Sequence, residues 1–156
     1  MNIHQLISPD RVICLTEISS KKKLLEKLSQ LLGLGAEGYD TTEIFNRLVE
    51  RERLGSTGLG HGVALPHGRL GDKEETIGAF IKLDKAIGFD SPDGAPIDLI
   101  FTLLVPEHHT DEHLKILASL AGMFSNNEFC ADLRQCHTDE ELYKHLSGWA
   151  SACQAC

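Results

Sequence analysis

The chain has 156 residues, of which 42% are hydrophobic and 24% charged, a balance that excludes disordered and membrane-embedded proteins. Its 15 basic and 23 acidic residues give a net charge of -8, which excludes a dominant nucleic-acid role, because phosphate backbones require clustered Lys and Arg. The length fits one domain over the whole chain, with a flexible tail expected after about residue 148.

The beginning of the chain lacks a basic flank followed by an apolar stretch, so no secretory signal is visible. The longest apolar segment, Ile97 to Val105, is too short to cross a membrane. We therefore expect a cytoplasmic protein with no membrane insertion. The five cysteines are odd in number and irregularly spaced, which argues against a disulfide framework. For Cys153 and Cys156 we expect a frayed tail, with redox or zinc chemistry as the alternative.

The first half of the chain predicts one strand and two helices. In chain order these are a strand at Val12–Leu15, a helix from Ser19 or Ser20 through Leu32, and a helix from Thr41 to about Leu54. Serine is a preferred helix N-cap, and Asp40 with Glu43 three residues later has the spacing of a capping box. Glycines between the two helices end the first of them.

The second half predicts short strands followed by three helices. These are a short apolar run at Val63–Leu65, strands at Thr76–Leu83 and Ile97–Val105, and helices from about Asp111 to Phe124, Asn127 to Arg134 and Thr138 to Ser147. Helices before and after a group of strands predict an α/β fold with a single mixed β-sheet sandwiched by α-helices. The order of the strands is not readable from the sequence.

The segment Arg51 to Arg69, RERLGSTGLGHGVALPHGR, carries the candidate chemistry. Its glycines leave a backbone that is free to point N–H groups at an anion, and its hydroxyls and arginines add further donors. The proposed phosphate-cradling residues are Ser56, Thr57, Gly60, Gly62 and Gly68. His67 follows a short strand and Pro66, and an imidazole in such a loop is a potential nucleophile toward phosphorus.

Simpler readings of this segment remain open. A glycine cluster is usually a set of turns, and a single histidine beside a proline is more often a satisfied loop residue than a catalyst. The segment contains neither of the glycine patterns that mark nucleotide binding. His113 lies on the inward face of the first turn of its predicted helix, near N–H groups that favour negative charge. A core histidine satisfied by a backbone carbonyl is the alternative there.

Three blocks of this sequence resemble the fructose/mannitol-type enzyme IIA components of the bacterial phosphoenolpyruvate-dependent phosphotransferase system. They are Arg51–Arg69, the segment LLVPEHHTDEHLKILASLA at Leu103–Ala121, and Asp139–Tyr143 in the last helix. The likeness covers nearly the whole chain, weakens after Ser147, and is strongest to the nitrogen-regulatory branch of the family.

The resemblance implies roles for individual residues. His67 matches the histidine that becomes phosphorylated, His113 matches a second histidine that contacts the phosphoryl group, and Arg51 matches an active-site arginine that stabilises charge. His61 departs from the pattern, since many relatives carry Asn there, and it is a possible modulator of His67. His108 and His109 are also not expected from the pattern.

The resemblance also implies a function and partners. An HPr-like phosphocarrier would donate the phosphoryl group, no cofactor or metal would be needed at that step, and the phosphorylation state would regulate unidentified target proteins. The alternative within the family is a free-standing carrier that passes the phosphoryl group to a sugar-specific IIB.

Two readings come from other classes of protein. The segment His109-Thr110-Asp111-Glu112-His113 matches the H-x-x-E-H pattern of some zinc hydrolases, with His109 and His113 as metal ligands and Glu112 as the base. Pro106 lies just upstream, so His109 is expected outside the helix, and no third ligand is evident. A binding module without covalent chemistry is the other alternative.

Overall fold

Helices cover both faces of one β-sheet. The structure is a computed structural model, and it describes residues 3–71, 75–108 and 110–149. The helices within these ranges are α1 (Ile3–Leu6), α2 (Lys21–Gly33), α3 (Thr41–Arg53), α4 (Thr110–Phe124), α5 (Asn127–Arg134) and α6 (Asp139–Ser147). The strands are β1 (Val12–Leu15), β2 (Gly58–Gly60), β3 (Val63–Ala64), β4 (His67–Arg69), β5 (Ile77–Ile87) and β6 (Ile97–Val105). His109, the Cys153/Cys156 pair and most of the predicted tail lie outside the described residues.

The strand order is β1-β5-β6-β3-β2, and β4 also pairs with β6. The β1/β5 and β3/β6 pairs are parallel, whereas β5/β6 and β2/β3 are antiparallel, so the sheet is mixed as predicted. Both β3 and β4 lie parallel to β6 in one register, with Val63 opposite Leu99 and His67 opposite Leu103. They form a single strand interrupted near Pro66, which has no N–H to donate.

Alternating side chains of β6 supply two separate cores. Leu99, Phe101 and Leu103 are buried with the apolar residues of α1, α4, α5 and α6. Ile100 and Leu104 are buried with the leucines of α2 and the apolar residues of α3. Because successive side chains of a strand point to opposite faces, the two cores lie on the two sides of the sheet. The predicted sandwich is therefore confirmed.

Helix starts agree with the predicted caps. The side chain of Ser20 accepts a hydrogen bond from the backbone N–H of Lys23 at 3.1 Å. Asp40 caps α3 through Thr42 at 3.0 Å, and Thr138 caps α6 in the same way. These bonds satisfy backbone donors that have no partner within the helix. None of the helices among the described residues is long and apolar enough to span a membrane.

Three details differ from the prediction. A short first helix, α1, was not expected, and it contributes the buried Ile3 and Leu6 to the core. Strand β5 continues to Ile87, four residues past the predicted end, because Ile87 pairs with Ile97 after a shift of register. The glycine-rich segment, predicted as a loop, contains β2 and turns back as a hairpin onto β3.

Candidate active site

His67 lies at the start of β4, immediately after the interruption at Pro66. Its Nδ1 is 2.8 Å from the carbonyl oxygen of Leu65, so Nδ1 carries the proton and donates this bond. The lone pair of the neutral ring is then on Nε2. The hydrogen bond at Nδ1 therefore holds the half-buried ring in place and leaves Nε2 free as a potential nucleophile.

His113 lies beside His67, although the two residues come from different elements. Their ring centroids are 5.2 Å apart and the ring planes are inclined by 50°. The side chain of His113 is only 4% exposed, which confirms the predicted inward face of α4. Its Nδ1 is buried without a hydrogen-bond partner among the described residues. A buried polar atom of this kind costs about 1–3 kcal/mol, so the satisfied core histidine considered above does not describe this ring.

A cleft of about 350 Å³ surrounds the two imidazoles. It is lined by Arg47, Glu50, Arg51, Leu54, His67, Gly68, Arg69 and His113. Arg47 lies 3.6 Å from Glu50 and 3.9 Å from Glu107. The Arg51 guanidinium donates a 3.0 Å hydrogen bond to the carbonyl of Gly55, and neither Arg51 nor Arg69 is paired with a carboxylate among the described residues. The cleft therefore has an excess of positive charge suited to an anion.

Both imidazoles are held neutral. Burial lowers the pKa of His67 from its ordinary value of 6.5, and the charges of Arg51 and Arg69 lower it further, although the Leu65 carbonyl opposes them. Burial also lowers the pKa of His113 to about 4, with smaller contributions from the neighbouring His67, Arg69 and Arg51. Near neutral pH the Nε2 lone pair of His67 is thus available, because protonation does not occupy it.

Gly68 brings α3 close to β4. A Cβ at this position would lie 3.0 Å from the Cβ of Arg47, 3.2 Å from its carbonyl carbon and 3.4 Å from the backbone nitrogen of Leu48. The absence of a side chain therefore permits α3 to pack directly against the strand that carries His67. This contact places Arg51, in the last turn of α3, at the same cleft.

Ser56 and Thr57 do not line the cleft as the sequence suggested. The Ser56 hydroxyl donates to the carbonyl of Phe89 at 3.1 Å and accepts from the N–H of Gly58 at 3.1 Å. The N–H of Thr57 donates to the carboxylate of Glu52 at 3.1 Å, and the Thr57 hydroxyl also bonds to that carboxylate. Their donors are used inside the protein, so the structure assigns them to holding the loop.

Gly60, His61 and Gly62 form the turn of the β2–β3 hairpin and are likewise absent from the lining of the cleft. All three have positive φ, at 93°, 55° and 82°. The N–H of His61 donates to Asp93 at 3.1 Å, and its carbonyl accepts from Arg134 at 2.7 Å. The tight turn itself explains the glycines here. The expected third imidazole near the site is instead exposed on the hairpin.

Sequence reasoning missed Glu52 and Lys21. The side chain of Glu52 is 4% exposed and lies 3.0 Å from the Nζ of Lys21, the first residue of α2. A signal was present, because Glu52 continues the stripe of Ile44 and Leu48, which are buried at a spacing of four residues along α3. A carboxylate on an apolar stripe requires buried partners.

The zinc-hydrolase pattern gains no support from the geometry. Glu112 and His113 lie in the first turn of α4, where Glu112 is exposed and His113 faces His67. Within residues 3–71, 75–108 and 110–149, no group of three or more His, Cys, Asp and Glu side chains is arranged to hold a metal ion. His109, the remaining member of the pattern, lies outside these residues.

The chain was then compared with known proteins. The family model described as "Phosphoenolpyruvate-dependent sugar phosphotransferase system, EIIA 2" matches residues 5–149. The chain belongs to this family. The enzyme IIA type 2 family consists of components of a phosphotransfer system, so membership gives the chain that general role and confirms the resemblance noted in the sequence.

Several relatives within the enzyme IIA type 2 family are named nitrogen regulatory proteins. The one from Pseudomonas aeruginosa is 41% identical over 144 residues, which cover 92% of this chain and 94% of the relative. The one from Escherichia coli K12 is 40% identical over 129 residues, 82% of this chain and 78% of the relative. The similarity therefore extends through nearly the whole length of these proteins.

Solved structures agree with the fold. The crystal structure of nitrogen regulatory protein IIA-Ntr from Neisseria meningitidis matches with a TM-score of 0.85 and 42% identity, over 92% of this chain and 98% of that chain. IIA mannitol from Escherichia coli matches with a TM-score of 0.71 and 19% identity, over 90% and 98% of the two chains. At that lower identity the second match bears on the fold alone.

Proposed function

We propose that His67 accepts a phosphoryl group from a phosphohistidine of a small HPr-like carrier protein and that the chain acts as a regulator through its phosphorylation state. The observation that carries this proposal is the pairing of His67 and His113 in one cationic cleft. Nδ1 of His67 is held by the Leu65 carbonyl, and the second imidazole lies 5.2 Å away between centroids.

The reaction is an in-line transfer between two ring nitrogens. The Nε2 lone pair of His67 forms a bond to phosphorus while the bond from phosphorus to the carrier's ring nitrogen breaks, and that electron pair returns to the carrier's ring. The proton on Nδ1 of His67 remains in its bond to the Leu65 carbonyl throughout. Catalysis of such a transfer consists mainly of positioning and of stabilising charge on the equatorial oxygens.

The cleft supplies groups for that stabilisation. Arg51 and Arg69 carry fixed positive charge, and guanidinium groups match phosphoryl oxygens in a fork. His113 presents an imidazole with an unsatisfied nitrogen beside the acceptor. Apolar side chains at the surface suit the docking of a protein donor: Leu54, which lines the cleft, is 84% exposed, and Leu114, next to His113, is 56% exposed.

The regulatory role is favoured over a role as a sugar-specific carrier by the names of the most similar relatives, which are nitrogen regulatory proteins at about 40% identity. Added phosphoryl charge at the cleft would change which targets bind to that surface. The alternative is transfer onward to a sugar-specific IIB, since a relative from Escherichia coli K12 that is 31% identical over 103 residues is named a fructose-like EIIA component. Rapid transfer from this chain to a sugar-specific IIB would overturn the regulatory assignment.

Intact-mass measurement tests the acceptor. The chain is incubated with phosphoenolpyruvate, enzyme I and an HPr-like carrier, and a gain of one phosphoryl group is expected. His67→Ala should show no gain, because it removes the nitrogen that accepts the phosphoryl group. His137→Ala, which removes an exposed imidazole between α5 and α6, is the matched control and should be labelled like the parent protein. Undiminished labelling of His67→Ala would refute the assignment.

A further inference from the structure

The carboxylate of Glu52 is buried, and both of its oxygens have polar partners. One oxygen accepts from the N–H and the hydroxyl of Thr57, and the other lies 3.0 Å from the ammonium of Lys21. The ammonium also donates to the carbonyl of Phe89 at 3.2 Å and lies 4.3 Å from the centre of the Phe89 ring. We call Lys21, Glu52, Thr57 and Phe89 the Glu52 network.

The Glu52 network fixes the chain immediately after α3. Thr57 is tied to Glu52, which is one turn earlier, and Ser56 is tied to the same Phe89 carbonyl that Lys21 contacts. The N–H of Gly55 also donates to the carbonyl of Glu52 at 3.2 Å. Residues 55–57 are therefore held from both the helix and the β5–β6 connection.

This turn orients Arg51. The guanidinium of Arg51 donates to the carbonyl of Gly55 at 3.0 Å, and no other hydrogen bond of this guanidinium is formed with the described residues. Any movement of residues 55–57 therefore moves the acceptor that holds Arg51 at the mouth of the cleft. The carboxylate of Glu52, outside the cleft, is thus linked by hydrogen bonds to the turn that contacts a cation inside it.

We propose that Glu52 is a positioning residue for phosphoryl transfer: through Thr57 and the Gly55 carbonyl, it holds the Arg51 guanidinium where the transferred group arrives. This inference rests on the proposed function. The negative charge of Glu52 also raises the pKa of the His67 imidazole, whereas Arg51 and Arg69 lower it.

A double-mutant cycle tests the proposed route through Arg51. Glu52→Gln keeps the shape of the side chain but replaces an acceptor that faces the Thr57 donors by an amide. We expect it to lower the maximal single-turnover rate of transfer about tenfold, with the carrier concentration that gives half of that rate changed less than about twofold, because misplacement of a catalytic group affects the chemical step. In an Arg51→Ala background the same change should have almost no further effect, since the group that it positions is gone.

A second pair of variants keeps the test valid if Glu52→Gln does not fold. Thr57→Val removes the hydroxyl that bonds to Glu52, and about a threefold loss of the maximal single-turnover rate is expected from the weakened turn. Thr57→Ser keeps that hydroxyl and should restore the parent rate. Glu26→Gln is the matched control, because Glu26 pairs with Lys23 at 3.4 Å on the surface of α2.

The outcomes separate the two proposals. If the parent protein accepts no phosphoryl group, the proposed function itself fails. If the parent is labelled but Glu52→Gln reacts at the parent rate, or if its effect multiplies with that of Arg51→Ala, then Glu52 does not act through Arg51 and the inference is overturned. For the second pair, Thr57→Val reacting at the parent rate, or Thr57→Ser reacting as slowly as Thr57→Val, would contradict it.

Discussion

Gly68 and Gly62 belong to one glycine-rich segment, yet the two positions require glycine for different reasons. At Gly68 the φ angle is ordinary and the constraint is space, since a Cβ would lie 3.0 Å from the Arg47 side chain and 3.2 Å from its backbone. At Gly62 the constraint is a φ of 82° in a hairpin turn, together with the ends of the paired Arg134 and Asp98 side chains, which a Cβ would approach to 2.7 Å and 2.9 Å. A glycine-rich sequence therefore does not by itself indicate one anion-binding loop.

The histidines of the two regions differ in the same way. His67 and His113 are brought together in the cleft, whereas His61 is exposed on the hairpin and contributes backbone atoms to bonds with Asp93 and Arg134. Residues that are close together within the segment Arg51–Arg69 are therefore not all close together in the site. Variants of residues in the cleft and of residues in the β2–β3 hairpin test this distinction.

The largest contrast is expected between His113 and His61 in the rate of phosphoryl transfer. His113→Leu removes a polar group aimed at the transferred charge, and losses of this type are about a hundredfold. His61→Asn keeps a residue that tolerates positive φ and should change the rate less than about twofold. Single-turnover labelling by an HPr-like carrier measures both rates. A strong loss of the transfer rate in His61→Asn would show that this imidazole takes part in the site.

The next contrast concerns the pH dependence of stability. The folded pKa of His113 lies near 4 against an ordinary 6.5, so the unfolded chain binds more protons between these values. Stability is then complete above about pH 6.5 and falls as the pH is lowered toward 4, by about 2 kcal/mol at about pH 5. Denaturant unfolding of the parent and His113→Leu across this range measures the difference. His113→Leu should lose this part of the dependence, and an unchanged slope would contradict it.

The smallest contrast is between the two glycines. Gly68→Ala forces α3 away from β4 and should cost roughly 1–2 kcal/mol of stability, with a loss of transfer of about tenfold as Arg51 moves. Gly62→Ala should cost about 1–3 kcal/mol through backbone strain and displacement of the Arg134–Asp98 ion pair, and should leave the transfer rate unchanged, because neither residue lines the cleft. Thermal unfolding and labelling together separate the effects. Equal rates in both variants would show that the α3–β4 contact does not set the geometry of the cleft.

Much of the fold could be predicted because its signals are local. The caps at Ser20, Asp40 and Thr138 lie within three residues of the donors they satisfy, and β6 is apolar apart from Asp98 and Thr102. Strand β5 was predicted too short because its end is exposed and is held by pairing with Ile97, which no local pattern reveals.

The candidate site was predictable in part. His67 and His113, both named from the sequence, lie in one cleft, and the buried face of His113 followed from helical periodicity. That Ser56, Thr57, Gly60 and Gly62 do not line this cleft could not be predicted, because the contacts of their loop are remote: Ser56 bonds to Phe89, 33 residues away, and the His61 carbonyl bonds to Arg134, 73 residues away. Glu52 was overlooked although its place on the apolar stripe of α3 was a local signal; its ion-pair partner Lys21 lies in another helix.

The amino-acid sequence by itself determined the helices, the buried strands, the family and the two imidazoles of the cleft, since these depend on short-range periodicity and on residue types. Tertiary structure decided which glycines relieve crowding and which permit a turn, and it decided that Glu52 and Lys21 are paired at 3.0 Å. Those properties depend on the distance between atoms of different elements, and only the packed sheet and helices fix that distance.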